Sequence, residues 1–323
     1  MDNMIISSSP HIHTSDTIRS IMLDVIIALL PTAIVGVYFF GLSAVWVLLT
    51  AVISAVAAEW IFEKITKRQS TVHDLSAAVT GLLLALNMPP SVPLWMVAVG
   101  AGFAIIIVKQ LFGGLGKNFV NPALAARCFM LIAWTGAMTT FSYPMNDAAL
   151  SAADAVSAAT PLAIMKDGIN MDLPSILNCF IGRQAGTIGE VSAAALILGF
   201  VYLLIKRVVS IKIPAAYILS FAVLTFLFGK DAFDVEYLVY QILCGGLLLG
   251  AFFMATDYTT TPTTNDGMLL FGIGCGVLTF LIRRFGGYPE GVSFSILLMN
   301  LVSPLLERYT VPKSFGNMGG HTK

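Results

Sequence analysis

Apolar residues run along this chain in long blocks separated by short polar stretches. Ten blocks stand out, at about 21–40, 42–62, 75–88, 92–112, 121–137, 191–206, 211–229, 238–256, 268–284 and 291–306. Most come near the roughly 20 residues that carry a helix across a bilayer. Block 75–88 is short for a full span and stops at Asn87-Met88-Pro89-Pro90. From 138 to 190 the pattern turns polar, with Asp147, Asp154, Asp167, Asp172 and several Gly and Pro. The pattern predicts an all-α polytopic membrane protein with about ten transmembrane helices and one long polar loop.

The blocks also repeat. Gly81-Leu82-Leu83-Leu84 returns as Gly246-Leu247-Leu248-Leu249, and Phe112-Gly113-Gly114 returns as Phe285-Gly286-Gly287. The second copy is eight residues longer between these landmarks, around the Thr-rich run 259–264. Five spans per half is an odd number, so the halves enter the membrane in opposite directions. The expected organisation is a tail at 1–20, a five-helix repeat at 21–137, the polar loop at 138–190, an inverted five-helix repeat at 191–306 and a tail at 307–323. Inverted repeats often hold a ligand near the midplane where the halves meet, beside broken elements. Asn87-Met88-Pro89-Pro90 and Ala255-Thr256-Asp257 are those elements here.

Composition agrees with lipid as the solvent. Charged residues are 11% of 323 and hydrophobic residues 57%, against about 25% charged in soluble domains. A net charge of zero implies neither nucleic acid nor an acidic partner. With alternating spans and cytoplasmic termini, twelve loop Lys and Arg fall on the cytoplasmic side and five on the other, among them Arg283 and Arg284. The polar loop then faces away from the cytoplasm. No cleavable signal peptide is evident in the polar residues 1–20. Cys128, Cys179, Cys244 and Cys275 form no C-x-x-C pair, so no disulfide framework, zinc site or iron–sulfur site is expected from this chain alone.

Within the polar loop lies Asp154-Ala-Val-Ser157-Ala-Ala159-Thr160-Pro161-Leu162. By local chemistry, Thr160 followed by Pro161 is an ordinary helix start, the threonine capping and the proline at the first helical position. A helix N-terminus also stabilises a phosphate, so a cap and a phosphoester anchor are compatible at one residue. Several polar residues sit within or beside spans, where they are costly. Asp24 lies a turn into the first span, Glu59 and Glu63 a turn apart near the end of the second, and Asp257 at a helix break. Asp24, Glu59 and Asp257 are candidates for an ion path. Each also has a plain alternative: Asp24 pairing with Arg19, and the two glutamates reaching the interface beside Lys64.

The run D-x-x-S-x-A-T resembles the motif read by the bacterial flavin transferase, which joins FMN to Thr or Ser. In particular it resembles a segment of the NqrB/RnfD family, the membrane subunit shared by sodium-pumping quinone reductases and Rnf complexes, with Ala158 in place of the usual Gly. Further segments of that family occur in order. They are Asn87–Trp95, Phe112–Arg127, Ile188-Gly-Glu-Val-Ser192, Phe253-Met-Ala-Thr-Asp257 and Tyr288-Pro-Glu-Gly291. The short N-terminal region is closer to the RnfD branch.

The resemblance implies a subunit of an ion-translocating oxidoreductase, with no complete activity alone, in a bacterial or archaeal cytoplasmic membrane. The complex moves electrons between reduced ferredoxin and NAD, coupled to Na⁺ or H⁺ translocation. Thr160 is then the covalent FMN anchor, and Asp154, Ser157 and Ala159 are positions the transferase recognises. A second, non-covalent flavin, riboflavin, is expected among the helices. Asn118 and Asn121 are candidate contacts for a flavin, or else satisfy broken backbone near a membrane boundary. Partners would be an FMN-bearing subunit, iron–sulfur subunits, an NAD-site subunit, small membrane subunits and the flavin transferase. Two other readings stand beside this one. The repeat also suits a secondary transporter or channel, and the chain could be a scaffold for its neighbours.

Overall fold

The computed structural model describes residues 17–142, 159–167 and 173–311. It is helical, and no strand occurs among the described residues. The chain forms α1 (Ile18–Phe40), α2 (Leu42–Thr66), α3 (Ser76–Leu86), α4 (Leu94–Gln110), α5 (Pro122–Ala133) and a short α6 (Thr135–Thr139). After the polar region come α7 (Pro161–Asp167), α8 (Ile176–Ile181), α9 (Ala193–Ile205) and α10 (Lys212–Phe228). Then follow α11 (Val235–Leu243), α12 (Leu247–Met254), α13 (Asn265–Phe285) and α14 (Val292–Thr310).

Local sequence sets the ends. Thr17 and Ser20 form a reciprocal capping box at the start of α1. Asn121 caps α5, accepting from the amides of Ala123 and Leu124, with Pro122 at the first helical position. Apolar side chains stay exposed all along α1 and α2, such as Ile34, Leu42 and Ile53 at 64%, 74% and 63%. Water would not tolerate so large an apolar surface, and a bilayer requires it. Among the described residues, only α1, α2 and α13 are each long and apolar enough to cross a membrane, with α11–α12 a fourth candidate as a bent pair. The other apolar segments form shorter helices, so ten helical regions are present but ten full spans are not established by length.

The short elements are buried inside the protein. Eleven-residue α3 rises only about 16 Å, far less than the ~30 Å hydrocarbon core. Its last carbonyls are taken up by another segment: the amide of Gly189 donates to Leu86 at 2.7 Å and that of Ile188 to Met88 at 3.0 Å. The second half bends at Gly246, the counterpart of Gly81, where α3 runs straight through. Gly245 and Gly246 both take positive φ, which glycine adopts without strain, and α11 turns into α12 through 59°. Both α4 and α12 contain π-helical turns, at Phe103–Gln110 and Gly250–Met254.

One hydrophobic core runs through helices of both halves. α1 crosses α9 closely, where an added Cβ on Gly199 would meet the Ala28 carbonyl oxygen at 2.0 Å. The region 138–190 is less loop-like than its composition implies. Besides α6 and α7 it holds α8, which packs on α9 and α11.

Candidate functional site

Thr160 sits just before α7, capping it: its Oγ accepts from the Ala163 amide at 3.3 Å, and its carbonyl accepts from Ile164 at 3.0 Å. Its side chain lines a cavity of about 230 Å³ together with Ala159. The walls are mostly apolar, from Leu131, Met138, Phe141, Tyr288 and Pro289. Arg127 and Glu290 supply the charge on the same wall. Asp154 and Ser157 lie outside the described residues.

Arg127 ties the halves together at the base of this cavity. From α5 it donates to Asn87 Oδ1 at 3.2 Å and to Ser293 Oγ at 2.8 Å, and it pairs with Glu290. Asn87 in turn ends α3, donating to the Leu83 carbonyl at 2.7 Å and touching Met254 Sδ at 3.5 Å. The end of α3 therefore meets the end of α12, at Met254 just before Ala255-Thr256-Asp257. Glu190, just before α9, accepts from Thr187 Oγ at 3.2 Å. Burial, reinforced by Glu290, lifts its carboxyl to about 7, against the pull of Arg127 and Arg283.

A second constellation lies at the opposite end of α3. Glu59 is fully buried, and Lys109 Nζ donates to its Oε1 at 2.6 Å. Gln110 Nε2 donates to the same oxygen at 2.8 Å, and Lys109 also donates to Ser76 Oγ at 2.7 Å. Consecutive residues on a regular α-helix do not share a face. The π-turns of α4 let Lys109 and Gln110 both reach Glu59. Glu63 accepts from the amide of Thr71 at 3.0 Å and from its hydroxyl. The two glutamates therefore do not reach the interface beside Lys64. They are buried, and the second oxygen of each lacks a hydrogen-bond partner. Lys109, a cytoplasmic loop cation by sequence, is only 2% exposed.

The other sequence candidates cluster nearby. Asp24 pairs with Lys206 at 3.7 Å and accepts from Tyr202 at 2.6 Å, so its partners lie on α9 and the following turn and not at Arg19. Asp257 accepts from the hydroxyls of Thr259 and Thr260, both at 3.2 Å, and burial raises its pKa against those bonds. Asn118 donates to the Val120 carbonyl and to Thr259 Oγ, at 3.1 and 3.0 Å. Asn121 reaches the Met254 carbonyl at 3.4 Å. Both amides thus bond backbone and loop. They also face a cavity of about 80 Å³, whose wall includes Asp257, Lys109 and Ser76 as well as the neighbours of Asp24 at Met22 and Val25.

Sequence reasoning does not single out Lys109, Gln110, Glu190 or Glu290. A lysine inside an apolar block is the available signal for the first. Arg283, an outer-loop cation by sequence, is buried within α13 and is bonded to carbonyls of Gln241, Cys244 and Gly245.

Comparison with known proteins follows the same lines. The chain is 48% identical over 97% of its length to the subunit designated D of the Na(+)-translocating ferredoxin:NAD(+) oxidoreductase complex of Acetobacterium woodii, covering 96% of that protein. It is 43% identical to the subunit of the same letter in the Proton-translocating ferredoxin:NAD(+) oxidoreductase complex of Clostridium ljungdahlii, over 96% of each chain. The corresponding subunit of the Ion-translocating oxidoreductase complex of Salmonella enteritidis is 37% identical, over 98% of this chain and 99% of that one. The family model described as NQR2, RnfD, RnfE matches residues 5–316, and the chain belongs to that family.

Proposed function

We propose that this chain is the RnfD-type membrane subunit of an ion-translocating ferredoxin:NAD oxidoreductase complex, carrying a covalent FMN on Thr160. The observation that carries this reading is the position of Thr160, whose side chain lines the cavity that Arg127, Glu290 and a mostly apolar wall also form. The donor set suits a flavin. Leu131, Phe141 and Tyr288 offer apolar surface for an isoalloxazine, and Arg127 offers positive charge near a phosphodiester. A bound flavin supplies one- or two-electron exchange. The residues of this chain hold and orient it: Thr160 through its Oγ, and Arg127 fixed in place by Glu290, Ser293 and Asn87.

Iron–sulfur and NAD chemistry belong to partner subunits in this reading. The complex lies in the cytoplasmic membrane, with the Thr160 loop on the outer side and the termini inside. The flavin transferase acts on the Asp154–Thr160 run before or during assembly. A second, non-covalent riboflavin has Asn118 and Asn121 as its candidate contacts. The cavity there, about 80 Å³, is well below the roughly 300 Å³ of usual ligand pockets, as to a lesser degree is the space of about 230 Å³ beside Thr160, from which a tethered flavin extends. Seating a riboflavin therefore requires the loops before α5 and before α13 to open. Asp24, Glu59 and Asp257 remain the ion-path candidates; Asp257 lines that cavity, as does Lys109, the partner of Glu59.

Gel fluorescence tests the anchor. The full chain, co-produced with a flavin transferase, should keep a fluorescent band through denaturing electrophoresis. Thr160→Ser should keep the band and Thr160→Ala should lose it. A band of wild-type strength in Thr160→Ala rules out this assignment.

A further inference from the structure

The strongest unassigned feature is a second cavity, of about 260 Å³, between α7, α10, α11 and α13. Its wall carries Arg283, Arg284, Lys166 and Lys230, and no carboxylate among the described residues. Arg283 is buried, and its terminal nitrogens donate to neutral oxygens of Gln241, Cys244 and Gly245. Its Nε–H, also buried, has no partner. Glu190 and Glu290 act on it electrostatically, yet neither lies on the cavity wall. A buried cation without a bonded counter-charge is costly, and an anion in contact with it removes that cost.

Thr225 strengthens the case independently. It is 3% exposed, it lines the same cavity, and its hydroxyl is unpartnered. A threonine inside a helix ordinarily bonds its hydroxyl to the carbonyl four residues back. Here that hydroxyl makes no such bond. Arg283 and Thr225 line one space with Arg284, Lys166 and Lys230. Lys166 donates to the Gly286 and Tyr288 carbonyls and Lys230 to those of Met165 and Lys166. Such a set of cationic and hydroxyl side chains matches the oxygens of a phosphate group.

The cavity sits where α10 and α13 end. Close by in the chain, Phe228, Phe285 and Phe233 are 62%, 76% and 68% exposed, an apolar rim of the kind that contacts acyl chains. By sequence, Arg283 and Arg284 fall on the side where cations are disfavoured. An anion site explains why they are there.

We propose that this cavity binds a phosphate group, presented as the headgroup of an anionic phospholipid or as free phosphate. This cavity shares Pro289 and α7 with the one beside Thr160 but is lined by a separate set of cations, Arg283, Arg284, Lys166 and Lys230. The Thr225→Val, Arg284→Gln variant leaves the Thr160 cavity untouched, so the two readings fail separately. A water is allotted about 30 Å³ in the liquid, so there is room for a phosphate and several waters.

The test uses the full chain, stripped of lipid in detergent. Native mass spectrometry compares binding of phosphatidylglycerol and phosphatidylcholine with identical acyl chains, and a separate arm titrates inorganic phosphate. Thr225→Val combined with Arg284→Gln avoids the fold-critical Arg283. Wild type should prefer phosphatidylglycerol by about tenfold or more, and the double variant should lose that preference. Saturable binding of inorganic phosphate, weakened likewise in the variant, also supports the site and identifies free phosphate as a source. Equal binding of both lipids with no phosphate binding means a water-filled cavity only and overturns the proposal. Unchanged anion binding in the double variant overturns it as well.

Discussion

Lys109→Met removes one partner of the most deeply buried ion pair among the described residues. The Lys109 and Glu59 side chains are 3% and 0% exposed, and their closest approach is 2.6 Å. Without the ammonium, Glu59 keeps only Gln110 and Thr71 as donors, and its other oxygen already has none. Removing one side of a buried pair costs about 3–5 kcal/mol, because the remaining charge is stranded. Glu59→Gln instead leaves Lys109 without a counter-charge, with Ser76 Oγ and the neutral amide oxygen as its acceptors, and should cost a similar amount. Removing both charges strands neither. The double variant should therefore lose less than the sum of the singles, with a coupling of about 1–3 kcal/mol. Reversible unfolding of the purified chain in mixed SDS micelles, followed by tryptophan fluorescence, measures all four corners of the cycle. Single variants within about 1 kcal/mol of wild type, or strictly additive losses, would refute the burial argument for this pair.

Two more outcomes follow from other sites. The carboxyl of Glu190 is raised from 4.5 to about 7, so its contribution to stability is fully present below about pH 4.5 and is lost as pH rises through 7. Melting temperature should fall between about pH 5 and 8, and Glu190→Gln should flatten that fall; an unchanged slope in the variant contradicts the assignment. Gly199→Ala would push a Cβ to 2.0 Å from the Ala28 carbonyl oxygen, and the α1–α9 crossing should lose about 1–3 kcal/mol of stability. The same SDS titration reads that loss, and a neutral result means the two helices separate without cost.

Fold class and break points are legible in the sequence for a physical reason. Apolar blocks follow directly from the solvent, and Asn87-Met88-Pro89-Pro90 and Ala255-Thr256-Asp257 do follow helix ends, of α3 and α12, whereas the bend at Gly245-Gly246 is visible in the sequence only as part of a repeat. The pairing of charges is not legible. Lys109 appears as a cation at the end of a span, and nothing local says that π-turns will aim it inward at Glu59, fifty residues away. Asp24 likewise meets Lys206 and Tyr202, 178 residues distant in the case of the tyrosine, instead of nearby Arg19. Such pairings depend on helix packing, which the hydrophobic pattern constrains only loosely. Helix length is not legible for a related reason: composition marks α3 and α5 as apolar, and their burial inside the protein is what permits such short helices.

The central claim is that Thr160 carries a flavin through its hydroxyl, and intact-mass measurement tests it most directly. The full chain, co-produced with a flavin transferase, should gain the mass of a single FMN less one water, and fragmentation should map that gain to Thr160. Thr160→Ala should stay at the mass of the polypeptide. A wild-type chain of bare polypeptide mass under those conditions, or a flavin mapped to another residue, contradicts the account.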